Sequence, residues 1–219
     1  AAQQYGREMH DAGLEIPAMQ AILFNKPELQ LFDKNTHEKF LDHMKLVADL
    51  ASAMGAKVLV LGAPKNRKRG QLPRSDAISM ATEFLQKVGE ICHQRNCCIG
   101  IEHNPVEYGC DFVTNVADAR YLVDQVNHPG IQLHIDSAGV HMCGNNIEPV
   151  IDQAGSFVHF HISEPMLEPV VNASVDHAKF HSALTNAGYN GWVSIEMKCP
   201  ETEDLLFRSV KFAAEKYLK

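Results

Sequence analysis

The sequence has no apolar run approaching the roughly 20 residues a membrane-crossing helix requires. Its opening, AAQQYGREMHDAG, lacks the charged-then-apolar layout of a secretion signal. Both absences lead to the expectation of a cytoplasmic protein without a membrane partner. Positive charge is in short supply: 20 lysines and arginines face 27 aspartates and glutamates, for a formal net charge of −7. Nucleic-acid binders draw most of their affinity from lysine and arginine contacts to phosphate, so nucleic acid is not expected as a partner. None of the six cysteines (Cys92, Cys97, Cys98, Cys110, Cys143, Cys199) forms a C-x-x-C pair. Several sit in apolar patterns where a free thiol acts as a small hydrophobe, and reduced cysteines are expected.

What is present is a regular alternation. With 219 residues, 45% of them hydrophobic, the chain can bury a full core, and one domain over 1–219 is the default expectation. Helical periodicity marks 1–12, 37–54, 75–95, 115–127, 146–154, 176–187 and 203–218. A β-rich run follows each of the first six: IPAMQAILF, KVLVLGAP, CCIGIEHNP, IQLHIDSAG, FVHFHISEP and GWVSIEMK. Gly13, Gly55, Gly130 and Gly188 fall just past helix ends, where a left-handed cap is usual. Six βα units in order predict a parallel sheet covered by helices.

The strand faces choose between an open sheet and a barrel. In CCIGIEH, Ile99 and Ile101 oppose Cys98, Gly100 and Glu102; in IQLHIDS, Ile131, Leu133 and Ile135 oppose Gln132, His134 and Asp136. FVHFHISEP puts His159 and His161 on one face against Val158, Phe160 and Ile162, and GWVSIEMK repeats the scheme with Glu196. A doubly wound sheet buries both faces and reads apolar throughout, whereas a barrel strand can turn polar on its inner side at the carboxyl end. The pattern predicts a barrel. It would bring Glu102, Asp136, His161 and Glu196, each ending a different strand, to one rim. Three carboxylates and an imidazole there would repel one another unless a cation sat between them. Such an oxygen-rich set suits Mn²⁺, Mg²⁺ or Co²⁺ more than a thiolate-type zinc site, with Zn²⁺ admitted as an alternative.

These motifs, IEHNP, HID, HFHISE and GYNGWVSIE, resemble those of the xylose-isomerase-like TIM barrels of the sugar phosphate isomerase/epimerase family. That family includes tagatose 3-epimerase and hydroxypyruvate isomerase and is related to endonuclease IV. The resemblance implies a (β/α)8 barrel whose metal ligands are Glu102, Asp136, His161 and Glu196, with His161 rather than His159 taken because the family uses the second histidine of the pair. It also implies that Glu102 and Glu196 act as acid and base on a sugar, and that the chain pairs as a homo-oligomer. The six strands match strands three to eight, so strands one and two are expected upstream of this chain, or from a partner. The family's substrate histidine lies three residues after the aspartate, whereas here the nearest, His141, lies five after.

Around this set, expected substrate contacts are His141, Asn104, Tyr108, Glu164, Lys198, and Lys65 and Arg67 of the loop GAPKNRKRG, where a phosphate or carboxylate would bind. A solvated loop and a rim acid are the plain alternatives. His159 and His134, one layer deeper, would orient carboxylates or fill the barrel. Asp176 and His177 resemble the position of extra zinc ligands in endonuclease IV, although a helix cap is simpler. The functions in view are a metal-dependent isomerase or epimerase of a small sugar, ketose or sugar phosphate, a dehydratase similar to inosose dehydratase, an endonuclease IV-like nuclease, and a non-enzymatic binding subunit.

Overall fold

A computed structural model describes residues 1–218. Its strands are β1 (Ala18–Met19), β2 (Val58–Leu61), β3 (Cys98–Glu102), β4 (Ile131–Asp136), β5 (His159–Ser163) and β6 (Val193–Glu196). The helices are α1 (Ala2–Asp11), α2 (His37–Met54), α3 (Arg74–His93), α4 (Val116–Val126), α5 (Ser137–Met142), α6 (Ile147–Ala154), α7 (His177–Asn186) and α8 (Glu203–Tyr217). All six strands run parallel in the order β1-β2-β3-β4-β5-β6. The sheet is curled. Strands three places apart in a flat sheet stand about 14 Å apart, yet ligand atoms from β3 and β6 approach within 4.8 Å.

The outer face explains the curl. Leu59, Ile99, Ile101, Leu133, Ile135, Phe160 and Ile162 point outward into the helix layer and are fully or almost fully buried. α3 answers with Ala77, Ala81, Phe84, Leu85, Val88 and Cys92, spaced three and four apart along one stripe. Each large side chain buried there stabilises the fold by about 1.5–3 kcal/mol relative to exposure. With the apolar area consumed outside, the inner face is free to carry Gly100, Glu102, His134, Asp136, His159 and His161.

Helix ends follow local chemistry. The side chains of Asn115, Asp176 and Thr202 cap α4, α7 and α8 by accepting from the backbone N–H groups of Asp118, Lys179 and Leu205. The Asp176 bond, 3.0 Å long, supports the cap reading of that residue. All six cysteines are free thiols, and among the described residues no helix is long and apolar enough to cross a membrane.

Three local expectations need correction. Only Ala18–Met19 of IPAMQAILF is strand, because Ala21 and Asn25 take positive φ and turn the chain. The stretch after Asp136 is helical rather than extended, since the Asp136 carboxylate accepts from Gly139 N at 2.6 Å and starts α5. Gly13, Gly55 and Gly188 have positive φ, but Gly130 does not, and Asn127 makes the left-handed turn after α4. Gly130 is small for another reason: a Cβ there would lie 2.0 Å from Gly89 O and 2.9 Å from Gly89 Cα. Those are backbone atoms of α3 and cannot rotate aside. Gly130→Ala is therefore expected to destabilise the fold by about 1–3 kcal/mol, read as a lower denaturant midpoint. Gly144→Ala, where a Cβ meets nothing within 4 Å but φ is +65°, should show only the smaller backbone cost of about 1 kcal/mol.

Candidate functional site

At the carboxyl ends of the strands lies a cavity of about 570 Å³. Its floor holds Glu102, Asp136 and Glu196, and its walls include Ile22, Val60, Gly62, Asn66, Asn104 and Tyr108. Ligand atoms of Glu102, Asp136, His161 and Glu196 all lie within 4.8 Å of one another. His161 Nδ1 is 3.2 Å from Glu196 Oε2 and 3.5 Å from Glu102 Oε1. The first three side chains are buried and Glu196, on the outermost strand, is half-buried. Neighbour bonds fix their orientation. Asn104 Nδ2 donates to Glu102 Oε2 at 3.1 Å, and Ser163 Oγ donates to Asp136 Oδ2 while accepting from Ala138 N at 3.0 Å.

Crowding of like charges in a dry site governs protonation. Burial, then the charges of Glu102 and Glu196, push Asp136 up to about 7 against the pull of His161 and Ser163. Burial opposes a charge on His161, but the carboxylates of Glu102 and Glu196 outweigh it and raise its pKa to about 10. Burial likewise disfavours a charged Glu102, and the imidazoles of His134 and His161 beside it win, holding it well below the usual carboxylate range. Protonated His161 thus supplies the positive charge that the cluster demands.

Deeper in the barrel, His134 Nε2 approaches Glu102 Oε1 at 3.2 Å, and Glu102, His134 and His161 form a second three-residue group able to face one ion. His134 and His159 stack with ring centroids 5.6 Å apart. Burial lowers both, to about 4 and about 3, so both are neutral. Gly100 makes the space, since a Cβ there would come within 3.1 Å of His134 Cβ.

Of the substrate contacts expected from sequence, the structure brings Asn104, Tyr108, Lys65 and Lys198 to the cavity wall. Tyr108 Oη also accepts from Met166 N at 3.1 Å, tying together two loops at the mouth. The other three are placed elsewhere. His141 is exposed on α5, outside the cavity. Glu164 is 1% exposed, and its carboxylate is taken up by Ser174, Val175 and His177, whose Nδ1 in turn meets Tyr217 Oη at 2.8 Å. This pins the β5–α7 connection to α8 and leaves neither Glu164 nor His177 facing the cavity. Arg67 is buried behind the wall, 4% exposed.

Sequence reading passes over two residues of this site. His103 lines the cavity, 1% exposed, against the backbone of Gly139. Strand alternation assigns it to the outer face, but β3 ends at Glu102 and alternation ends with it. Gly62 looks like a turn glycine after LVL; a Cβ there would lie 2.2 Å from Glu102 Oε2. Its smallness gives the carboxylate its place.

Comparison with known proteins agrees with this architecture. A D-psicose 3-epimerase from Clostridium cellulolyticum, solved with D-tagatose, superposes with a TM-score of 0.81 at 13% identity, covering 98% of this chain and 81% of that one. The IolI protein, solved with a zinc atom, gives 0.77 at 18% identity, covering 98% and 81%. At such identities the likeness shows the fold alone. In sequence, the chain is 30% identical over 133 residues to a mannonate dehydratase of Enterococcus faecalis, across 53% of this chain and 37% of that relative. The chain thus spans little more than a third of that relative's length. The model of the xylose isomerase-like TIM barrel family matches residues 1–216, and the chain belongs to that family.

Proposed function

We propose that the protein is a divalent-metal-dependent isomerase or epimerase acting on a small sugar or ketose through an enediolate. The observation that carries this reading is the pair Glu102 and Glu196, on strands three places apart, meeting around Asp136 and His161 at the floor of one cavity. The donor set fits a cation, because three carboxylates, two of them buried, meet at a single proton-hungry point, with Asp136 held partly protonated and His161 charged in compensation. Glu102, Asp136, His161 and Glu196 would hold the ion. When bound, it supplies Lewis-acid polarisation of the carbonyl and charge to stabilise the enediolate.

The remaining work belongs to side chains. One of Glu102 and Glu196 takes the proton from the carbon beside the carbonyl, and the other delivers a proton to the intermediate. Return to the opposite face of the same carbon gives an epimer, and return to the neighbouring carbon gives an aldose–ketose isomer. Asn104 orients Glu102 by its hydrogen bond to Oε2. Ser163 and Gly139 N hold Asp136, so that it positions rather than transfers. Tyr108 and Lys198 stand on the wall where sugar hydroxyls would lie.

A second reading is favoured by one finding, the similarity to a mannonate dehydratase. In a dehydratase the same carboxylate would take the proton and the intermediate would lose hydroxide as water. Nuclease activity finds no support: the net charge is −7, Asp176 is a helix cap, and His177 is engaged by Glu164 and Tyr217.

Three outcomes are expected. Incubated with Mn²⁺ and a panel of ketoses in D₂O, the protein should place solvent deuterium on the substrate carbon, with Glu102→Gln and Glu196→Gln slower by about 10²–10⁴-fold; loss of water seen by mass would select the dehydratase, and a panel without exchange or water loss would exclude both. Gly62→Ala should weaken Mn²⁺ binding by about 10–100-fold at nearly unchanged melting temperature, since the displaced atom ends a side chain that can swing away; unchanged affinity would separate Glu102 from the ion. Binding should also release protons. His161, raised to about 10, gives one up at pH 8, and Asp136, raised to about 7, gives a second below pH 7. Affinity must therefore fall more steeply with acid below pH 7 than above it, as calorimetry in buffers of differing ionisation enthalpy would read.

A further inference from the structure

Among the described residues, two buried polar side chains beside the cavity have polar atoms without a hydrogen-bond partner. Arg67 ends the 3-10 turn Pro64–Arg67 that follows β2. It is 4% exposed, and among the described residues no acceptor meets its Nε or Nη2. His103 lines the cavity at 1% exposure with its ring against the Gly139 backbone; neither ring nitrogen makes a well-formed hydrogen bond among the described residues, and it stands within the field of the Arg67 charge. The neighbouring Arg69 shows what an engaged arginine looks like here: Nε donates to Asp111 O at 3.1 Å and Nη1 to Leu72 O at 2.8 Å.

The turn that carries Arg67 is held in place. Asn66 Nδ2 donates to Lys26 O at 2.7 Å and Leu29 O at 2.8 Å. Ala63 and Asn66 line both the cavity and the small apolar recess that Arg67 also lines, so the two spaces share a wall. Lys65, on the same turn, lines the cavity mouth and makes no ion pair among the described residues. In a chain of net charge −7, two unpaired cations on one short turn are conspicuous. A guanidinium does not deprotonate in a protein, and burying one without an anion is destabilising.

We infer that Arg67, with Lys65 and the imidazole of His103, forms a subsite for the carboxylate or phosphate of an anionic sugar whose other end reaches the carboxylate cluster. This deepens the function proposed above and rests on the cavity being the substrate site. The planar fork of Arg67 matches the paired oxygens of either anion, and Lys65 adds charge at the mouth. The subsite lies on the β2–β3 side, away from Glu196 on β6, so a bound sugar would extend across the floor.

The test uses metal-stripped protein, which separates this subsite from the ion. Inorganic phosphate, D-gluconate and neutral D-fructose are titrated at constant ionic strength, with binding followed by calorimetry and by melting temperature. At least one anion should bind saturably and raise the melting temperature while fructose does neither, and the stronger anion tells phosphate from carboxylate. Arg67→Met should weaken that binding by about tenfold or more, and Arg67→Lys, which keeps the charge without the fork, should fall between. Absence of saturable anion binding, or equal affinity in Arg67→Met, overturns the inference. If Arg67→Met does not fold, Arg67→Lys and His103→Asn decide it, and unchanged affinity in both is fatal. Should anion binding keep its Arg67 dependence while no sugar exchanges deuterium or loses water, the enzymatic reading fails and the subsite stands.

Discussion

Mutual repulsion among three crowded carboxylates, two of them buried, is the constraint around which this protein is arranged. Glu102, Asp136 and Glu196 converge with His161 within 4.8 Å, in surroundings too dry to screen them. Left to themselves they would separate or take up protons, and the second tendency is visible in the raised pKa values of Asp136 and His161. The structure resists separation mechanically. Asp136 is clasped by Gly139 N and Ser163 Oγ, Glu102 by Asn104, and the missing Cβ of Gly62 leaves room for the Glu102 carboxylate.

The scaffold bears that cost by a division of labour between two faces. Outward side chains of the strands make an apolar core with the helices, so the inner face is released from packing duty. Below the carboxylates the inner face is filled by imidazoles, His134 and His159, which burial keeps neutral and which add no positive charge to compete with a cation. Further out, the run Ser174–Glu164–His177–Tyr217, buried from Glu164 onward, joins β5 to α7 and α8. It steadies the strand that carries His161 without taking part at the cavity.

Much of this is written in the chain. The period of apolar residues located all seven expected helices to within about two residues and all six strands in order, because outward faces must be apolar wherever helices cover a sheet. The exceptions share a cause. β1 is cut short by a positive φ at Ala21, α5 is started by a carboxylate that the motif assigns to the site, and Gly130 is small because of Gly89, 41 positions earlier. Each depends on a contact or a backbone conformation that periodicity does not encode.

The same boundary runs through the site. The sequence by itself determined which residue types end which strands, since inward polarity at a carboxyl end is a local pattern. Only the tertiary structure decided that they meet. Along the hydrogen-bond ladder Glu102 is level with His134, Asp136 with His161, and Glu196 with Ser163, three different heights that strand tilt in a curled sheet brings to one point. It also decided that Glu164 turns away into a structural bond, that His141 faces solvent, and that Arg67 is buried beside the cavity rather than waving from a loop. Those outcomes depend on which distant segment lies opposite a side chain, and a linear pattern carries no information about that.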